Sequence, residues 1–355
     1  MSESWAVEYR PSELSISTGE GKGIIGQDLT VKILERQIET NSIKHAYLFA
    51  GSSGAGKTTI ARAFANALNK GVGSPIEIDA ASNNGVDNIR GIIQSSTERA
   101  LQGKYKIFII DECHALTSQA WQAFLKGIEE PPEYTIYMFA TTEPNKIPAT
   151  ILNRVQRFNI QSVSSGLIYK RLEYISKQKG LANYQSTIDM ISKLAGGCMR
   201  DAITKLEHCA SLGNTLNINT SREILGEISY EPVFKLTWAL RDKNEEQVIS
   251  AIDSLDKSGV NMKQLVSFYT TFILDLQEYN IFKDISLTHI PAYLASNNNP
   301  VVQSTVNFDK SKEFFQDLCD TLLDIKLNIK YEDRPKDLFS LYLLRFIRQH
   351  KEKGE

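Results

Sequence analysis

The stretch GSSGAGKT, Gly51 to Thr58, places a lysine and a threonine directly behind a glycine-rich run. It fits G-x-x-x-x-G-K-[ST] and lies between an apolar run and a helix-spaced segment, the context that the pattern requires. Such a loop lets the backbone N–H groups of Gly51, Ser52, Ser53, Gly54, Ala55 and Gly56 converge on phosphate oxygens. The N-terminus of the following helix adds positive potential. Lys57 would reach the β- and γ-phosphates of a nucleotide, and Thr58 would offer its hydroxyl to Mg²⁺. Thr59 continues the cradle.

A second cluster has the residue types for hydrolysis. IFIIDECH (107–114) ends a buried-type apolar run in Asp111 and Glu112. Asp111 can hold Mg²⁺, and Glu112 can orient and polarise an attacking water. In ATTEP, after the next apolar run, Thr141 or Thr142 can hydrogen-bond a γ-phosphate or that water. The adjacent pair Cys113-His114 suits tetrahedral metal poorly and reads as a core residue with a polar neighbour. TILNRVQRF (150–158) then brings Arg154 and Arg157. An arginine there serves this loop, some other nucleotide, or only solvent, and the residues alone leave that choice open.

These groups need a scaffold, and the pattern supplies one. The first 160 or so residues alternate strand-like and helix-like segments, as in a mostly parallel sheet with crossover helices. Strands are expected at AYLFA (46–50), PIEIDA (75–80), KIFIID (106–111) and YTIYMFATT (134–142). Helices are expected at TTIARAFANAL (58–68), at NIRGIIQSSTERALQG (88–103), and at SQAWQAFLKGIEEPP (118–132), stopped by two prolines. From about residue 164 the strand signal ends and short amphipathic helices follow; from about 229 the helices lengthen. SNNNPVVQSTVNFD (296–309) reads as a loop, and the tail RQHKEKGE as frayed.

At 355 residues the chain is long for one domain. Its net charge of -2 gives no global field for nucleic acid or anionic membrane, so any such contact must be a local patch. The start, MSESWAVEYRP, is not a secretory signal, and no apolar run is long enough to span a bilayer. The four cysteines, Cys113, Cys198, Cys209 and Cys319, never form C-x-x-C, which argues for a reducing compartment, the cytoplasm, and against a zinc module.

Read in order, YRPSEL…IIGQ (9–27), HAYLFAGSSGAGKTTIARAFANALN (45–69), EIDAASNNGVDNIR (77–90), IIDECHALTSQAWQAFLKGIEEPPE (109–133), FATTEPNKIPATILNRVQRF (139–158) and AGGCMRDAITKLEHC (195–209) resemble the AAA+ module of clamp loaders. The chain is similar to the gamma/tau family of ATPase subunits of bacterial DNA polymerase III. The likeness is strong to about residue 210 and fainter beyond, as in YEDRPKDLFSLYLLRFI (331–347).

That resemblance implies an α/β AAA+ P-loop domain, a parallel sheet flanked by helices, over 1–163, a small helical lid over 164–228 and an all-α collar or oligomerisation domain over 229–355. It implies ATP and Mg²⁺ as cofactors. By motif position Arg154 would be an arginine finger reaching a neighbouring subunit's site, although asparagine and valine replace the family's serine and cysteine beside it. Such fingers are worth roughly 10³–10⁵ in rate. Arg10 would contact the nucleotide, Thr142 would be the sensor on the central strand and Arg200 the lid's sensor. Arg157 reads as structural. Arg90 and Lys126 would face DNA phosphates, although Asn83 and Gly85 stand where the family is often basic. KGVGSP replaces the family's four-cysteine module, so no zinc is expected. The long extension of tau is not in this sequence, which fits a minimal, divergent or phage-encoded member.

The implied role is a clamp-loader motor. ATP binding would assemble a five-subunit spiral, homo- or hetero-oligomeric, that holds a sliding clamp open, and primer-template DNA would trigger hydrolysis. Two other readings share the motifs: a AAA+ recombination or fork-remodelling ATPase, and a non-hydrolysing scaffold subunit. The run EEPPE…ATTEPNKIP…ILNR favours the loader, and intact Lys57, Asp111, Glu112 and Arg154 speak against the scaffold.

Overall fold

The computed structural model describes residues 3–228, 230–257, 259–282 and 312–352. The chain forms two compact units, Met1–Thr215 and Leu216–Glu355.

The first unit is built on a five-stranded parallel sheet. A two-stranded parallel ribbon, β1 (Ile16–Ser17) and β2 (Ile24–Ile25), precedes it. The sheet strands are β3 (Ala46–Ala50), β4 (Ile76–Asp79), β5 (Lys106–Asp111), β6 (Thr135–Thr141) and β7 (Gln156–Asn159), in spatial order β4-β5-β6-β3-β7. Every residue of β3 and β6 is buried, the unbroken apolar pattern of strands covered on both faces. Successive side chains serve opposite layers. Tyr47 and Phe49 join Val31, Leu34, Ile60 and Phe64 on one face, from α2 (Asp28–Glu39) and α3 (Lys57–Leu68). Leu48 and Phe139 join Ile89, Trp121, Phe124 and Ile151 on the other, from α4 (Val86–Ser96), α5 (Ser118–Glu129) and α6 (Ala149–Leu152). Before the sheet lies the one-turn α1 (Trp5–Glu8). After it come α7 (Ser165–Gln178), α8 (Gln185–Leu194) and α9 (Met199–Ala210), packed through residues such as Leu172, Ile191 and Leu206.

Two local expectations differ from the structure. The helix expected over 88–103 ends at Ser96. There Ser96 Oγ donates to the Ile93 carbonyl, Thr97 Oγ1 donates to the Gln94 carbonyl, and the Tyr134 hydroxyl donates to the Thr97 carbonyl. Side-chain donors thus take carbonyls that a continuing helix would use. The strand β7 was not expected, because in QRFN only Phe158 is apolar and buried. It is an edge strand paired with β3 alone, so its own residues carry little pattern.

The second unit is helical: α10 (Ile218–Leu225), α11 (Tyr230–Arg241), α12 (Glu245–Lys257), α13 (Met262–Phe282), α14 (Lys312–Asn328), a 3-10 turn (Ile329–Tyr331) and α15 (Pro335–Glu352). One core unites α11 to α15, with Leu236, Ile252, Tyr269, Phe272, Leu322, Phe339 and Leu343 among its buried members. Thr237 and Tyr269 exchange a buried hydrogen bond of 2.9 Å inside it. The loop expected at 296–309 lies outside the described residues. Of the tail expected to fray (348–355), the described part is helical to Glu352, with Arg348 and Lys351 both pairing with Glu245, and 353–355 lie outside the described residues. Among the described residues no helix is long and apolar enough to cross a membrane.

Candidate nucleotide site

The sheet order sets the site. β3 lies beside β6, β6 beside β5, and Ala50 pairs with Thr141. The carboxyl ends of these strands therefore bring the loop after β3 next to Asp111 and Thr141, at the edge where ligands of open parallel sheets bind. Gly51 N donates to Thr141 O at 3.1 Å. A Cβ at Gly51 would overlap the Ile160 carbonyl, and one at Gly54 would overlap Cys198 Sγ, just ahead of α9. Gly54 also has φ +69°, so both sterics and backbone call for glycine there.

Lys57 opens α3 and is 5% exposed. Its Nζ donates to the carbonyls of Gly51 at 3.1 Å and Ser52 at 3.0 Å. Burial pushes its pKa below the ordinary lysine value, and nearby Glu112 and Asp111 oppose that shift. A buried ammonium held only by neutral carbonyls is ready to exchange them for phosphate oxygens. Thr58 Oγ1 donates to Asp111 Oδ2 at 2.7 Å. This hydroxyl–carboxylate pair, contributed by two elements, offers the hard oxygen donors that Mg²⁺ prefers, so the residues present fit that ion.

Glu112 has φ +45°, an uncommon left-handed backbone for a residue with a Cβ. Its N–H donates to Asp111 Oδ1 at 2.9 Å. Thr142 Oγ1 donates to Glu112 Oε2 at 3.3 Å. Thr141 is fully buried and accepts from Glu143 N at 3.0 Å. The two threonines therefore separate in role: Thr141 shapes the strand end, and Thr142 touches the acid.

One cleft collects Arg10, Ser53, Gly54, Ala55, Gly56, Lys57, Thr58, Thr59, Asp111, Glu112 and Arg200. Gly51 and Ser52 stand behind it, holding Lys57 through their carbonyls. Arg200 is the second residue of α9 and is exposed. Ile24, Ile25, Val163, Met199 and Ile203 form an apolar part of the same cleft. Sequence reasoning missed these; for Ile24 and Ile25 a strand of two residues has no periodicity to read. It missed Arg171 as well, which lines the cleft and is only 2% exposed. Arg171 on α7 donates to the carbonyls of Tyr9, Gly19 and Gly21, tying the segment before Arg10 to α7. Burial lowers its pKa from the usual arginine value.

Arg154 does not line this cleft. It follows α6, donates through Nη1 to the Thr150 carbonyl at 2.8 Å, and pairs through Nη2 with Glu129 Oε1 at 2.7 Å. Arg157 on β7 donates to Asn159 Oδ1 at 2.9 Å. Arg90 on α4 and Lys126 on α5 are exposed and lie on neighbouring helices; Arg90 pairs with Asp87 at 3.1 Å. At KGVGSP the backbone turns through positive φ at Lys70, Gly71 and Gly73. Among the described residues no group of three or more His, Cys, Asp or Glu side chains is placed to hold a metal, and all four cysteines are free thiols.

The family described as "DNA polymerase III, delta subunit" matches residues 26–72 and 74–164. The chain is 35% identical over 278 residues to the DNA polymerase III tau subunit of Bacillus subtilis, covering 72% of this chain and 49% of that protein. It is 28% identical to the gamma/tau subunit of Mycoplasma genitalium, covering 87% of this chain and 53% of that protein. The chain thus spans about half the length of these two curated relatives. To the DNA polymerase III gamma subunit of Buchnera aphidicola subsp. Schizaphis graminum it is 33% identical, covering 69% of this chain and 74% of that protein. A solved structure of a RuvB mutant from Thermotoga maritima superposes with a TM-score of 0.50 at 18% identity, covering 65% of this chain and 80% of that one. That likeness is one of fold, the AAA+ arrangement of a helix-flanked parallel sheet with helices following it. With a third of the aligned residues identical across 74% of a gamma subunit, and with the phosphate loop and its acidic partners gathered in one cleft, the chain belongs to the DNA polymerase III gamma/tau family.

Proposed function

We propose that this chain is an ATP-hydrolysing motor subunit of a clamp loader, which opens a sliding clamp and places it on primer-template DNA during replication. The observation that carries the reading is the split of charged groups. Lys57, Asp111, Glu112, Arg10 and Arg200 share one cleft, while Arg154 stays outside it. A finger that cannot reach its own nucleotide needs a neighbouring subunit to serve, as a multi-subunit motor requires.

In this reading the phosphate loop holds the β- and γ-phosphates, with Lys57 as the mobile cation. Thr58 and Asp111 would hold Mg²⁺, whose charge would offset that building on the phosphate oxygens. Glu112 takes the proton of the attacking water, and Thr142 orients Glu112. Arg200, at the start of α9, makes the position of the lid helices depend on the nucleotide. Arg90 and Lys126 contact DNA phosphates without reading bases.

The test is steady-state ATP hydrolysis by the purified chain, with and without primer-template DNA, companion subunits and a sliding clamp. Stimulation that needs DNA and clamp together is the expected result. Stimulation by DNA alone, indifferent to any clamp, would replace the loader by a fork-remodelling ATPase. Tight nucleotide binding without turnover in any mixture would replace it by a scaffold subunit.

A further inference from the structure

We propose that His114 is a positioning residue for hydrolysis, holding the Glu112 carboxylate in line. The inference rests on the reading of Glu112 as the group that activates water.

His114 lies in the 3-10 turn Cys113–Ala115 that follows β5. Cys113 points into the core and is fully buried, which turns the next side chain outward, toward the end of β6. Its ring Nδ1 is 3.3 Å from Glu112 Oε2 and 3.2 Å from Thr141 Oγ1, and its Nε2 is 3.4 Å from Glu143 Oε1. The imidazole thus bridges two carboxylates, with its side chain only 19% exposed.

The bridge has a direction. The two ring nitrogens face different partners, Nδ1 the Glu112 and Thr141 oxygens and Nε2 the Glu143 carboxylate. Glu143 already has a donor, since Lys146 Nζ lies 2.9 Å from its Oε1. That hydrogen bond holds the Glu143 carboxyl below the usual glutamate range, with the His114 ring a smaller contributor. The ring is anchored through Nδ1, which hydrogen-bonds Thr141 Oγ1 at 3.2 Å and lies 3.3 Å from Glu112 Oε2. Thr142 donates to the same oxygen, Oε2, at 3.3 Å. A hydroxyl donor and the imidazole edge, from two elements, thus face one carboxylate oxygen and leave Oε1 to accept the proton of a water. The left-handed backbone of Glu112 makes such support useful, because nothing regular in the chain sets its side-chain direction. Glu143 acts through His114, by anchoring the far edge of the ring.

The experiment measures kcat, KM and nucleotide affinity for the full chain in its active complex, using a fluorescent ADP analogue for affinity. His114→Ala is expected to lower kcat by about 10- to 100-fold, the cost of a misplaced reacting group, with analogue affinity unchanged. His114→Asn, which can present an N–H near the Nδ1 position, is expected to recover much of the loss. Glu143→Gln is expected to lower kcat less, and to add little on top of His114→Ala, because both act on one carboxylate. Unchanged kcat in His114→Ala would overturn the inference while leaving the motor reading intact. Additive losses, or a fall in affinity that matches the fall in rate, would also overturn it in favour of a merely structural histidine. No hydrolysis by the unmodified complex would overturn both.

Discussion

Arg154 is tied to Glu129 of its own chain by a 2.7 Å ion pair, with both side chains partly exposed. An exposed pair of this kind is worth roughly 0–1 kcal/mol, little enough to break when a phosphate offers more. Arg154→Ala is therefore expected to leave folding and ATP affinity intact while lowering turnover of the assembled complex by roughly 10³-fold or more. Mixing it with a Glu112→Gln chain tests sharing directly. A subunit that lacks the finger but keeps Glu112 regains activity beside one that keeps Arg154. Activity retained by Arg154→Ala alone would remove the finger assignment.

Lys57 sets function against stability. Its buried ammonium faces carbonyls, and burial lowers its pKa from the ordinary 10.5. In the window between the lowered value and 10.5 the unfolded chain binds more protons than the folded one, so this group makes stability rise with pH there. Lys57→Met should lose that component and be at least as stable as the parent at neutral pH without nucleotide. It should also lose nucleotide binding. The parent gains about 2.7 kcal/mol from ATP at a hundred times its Kd, and the variant gains none. Thermal melts with and without Mg²⁺-ATP check both halves; a variant still stabilised by ATP would refute the site.

Gly54 couples the phosphate loop to α9, because a side chain there would strike Cys198 Sγ. Gly54→Ala also forces a left-handed φ on a residue with a Cβ, a cost of about 1–2 kcal/mol. The loop is expected to shift, with ATP affinity falling by about tenfold or more, as 1.4 kcal/mol converts. Gly166→Ala, where an added Cβ meets nothing within 4 Å, is the control and should bind normally. Equal affinities for the two variants would show that the loop tolerates displacement.

The parts of this molecule that were legible in the sequence are those with a local signature. AYLFA, KIFIID and YTIYMFATT have unbroken apolar runs, and they form the three central strands. GSSGAGKT announces its chemistry because only glycines allow that backbone. His114 was not legible as a partner of Glu112, since its contact to Glu143 depends on β6 lying beside β5. Arg171 was hidden for the same reason, as its carbonyl partners lie more than 140 residues away in the chain. The end of α4 was misplaced because hydroxyls of Ser96, Thr97 and Tyr134 decide it, a tertiary event that helical spacing does not encode.

Arg90 and Lys126 carry the DNA expectation, and their exposure lets it be tested without disturbing the core. They lie on α4 and α5, which pack together, and both are exposed. Removing one cation that neutralises a phosphate should reduce the salt slope of duplex binding by about 0.9 in log K against log salt. The pair Arg90→Ala and Lys126→Ala should therefore flatten that slope by nearly two, with weakening that is uniform across DNA sequences. Asp87, 3.1 Å from Arg90, competes with phosphate for the guanidinium. Asp87→Asn should tighten DNA binding slightly at low salt and lose that advantage at high salt, where exposed charges are screened. Titrations of primer-template DNA into the assembled complex over a range of salt concentrations measure these slopes. A double variant with an unchanged slope would place the DNA path elsewhere on the surface.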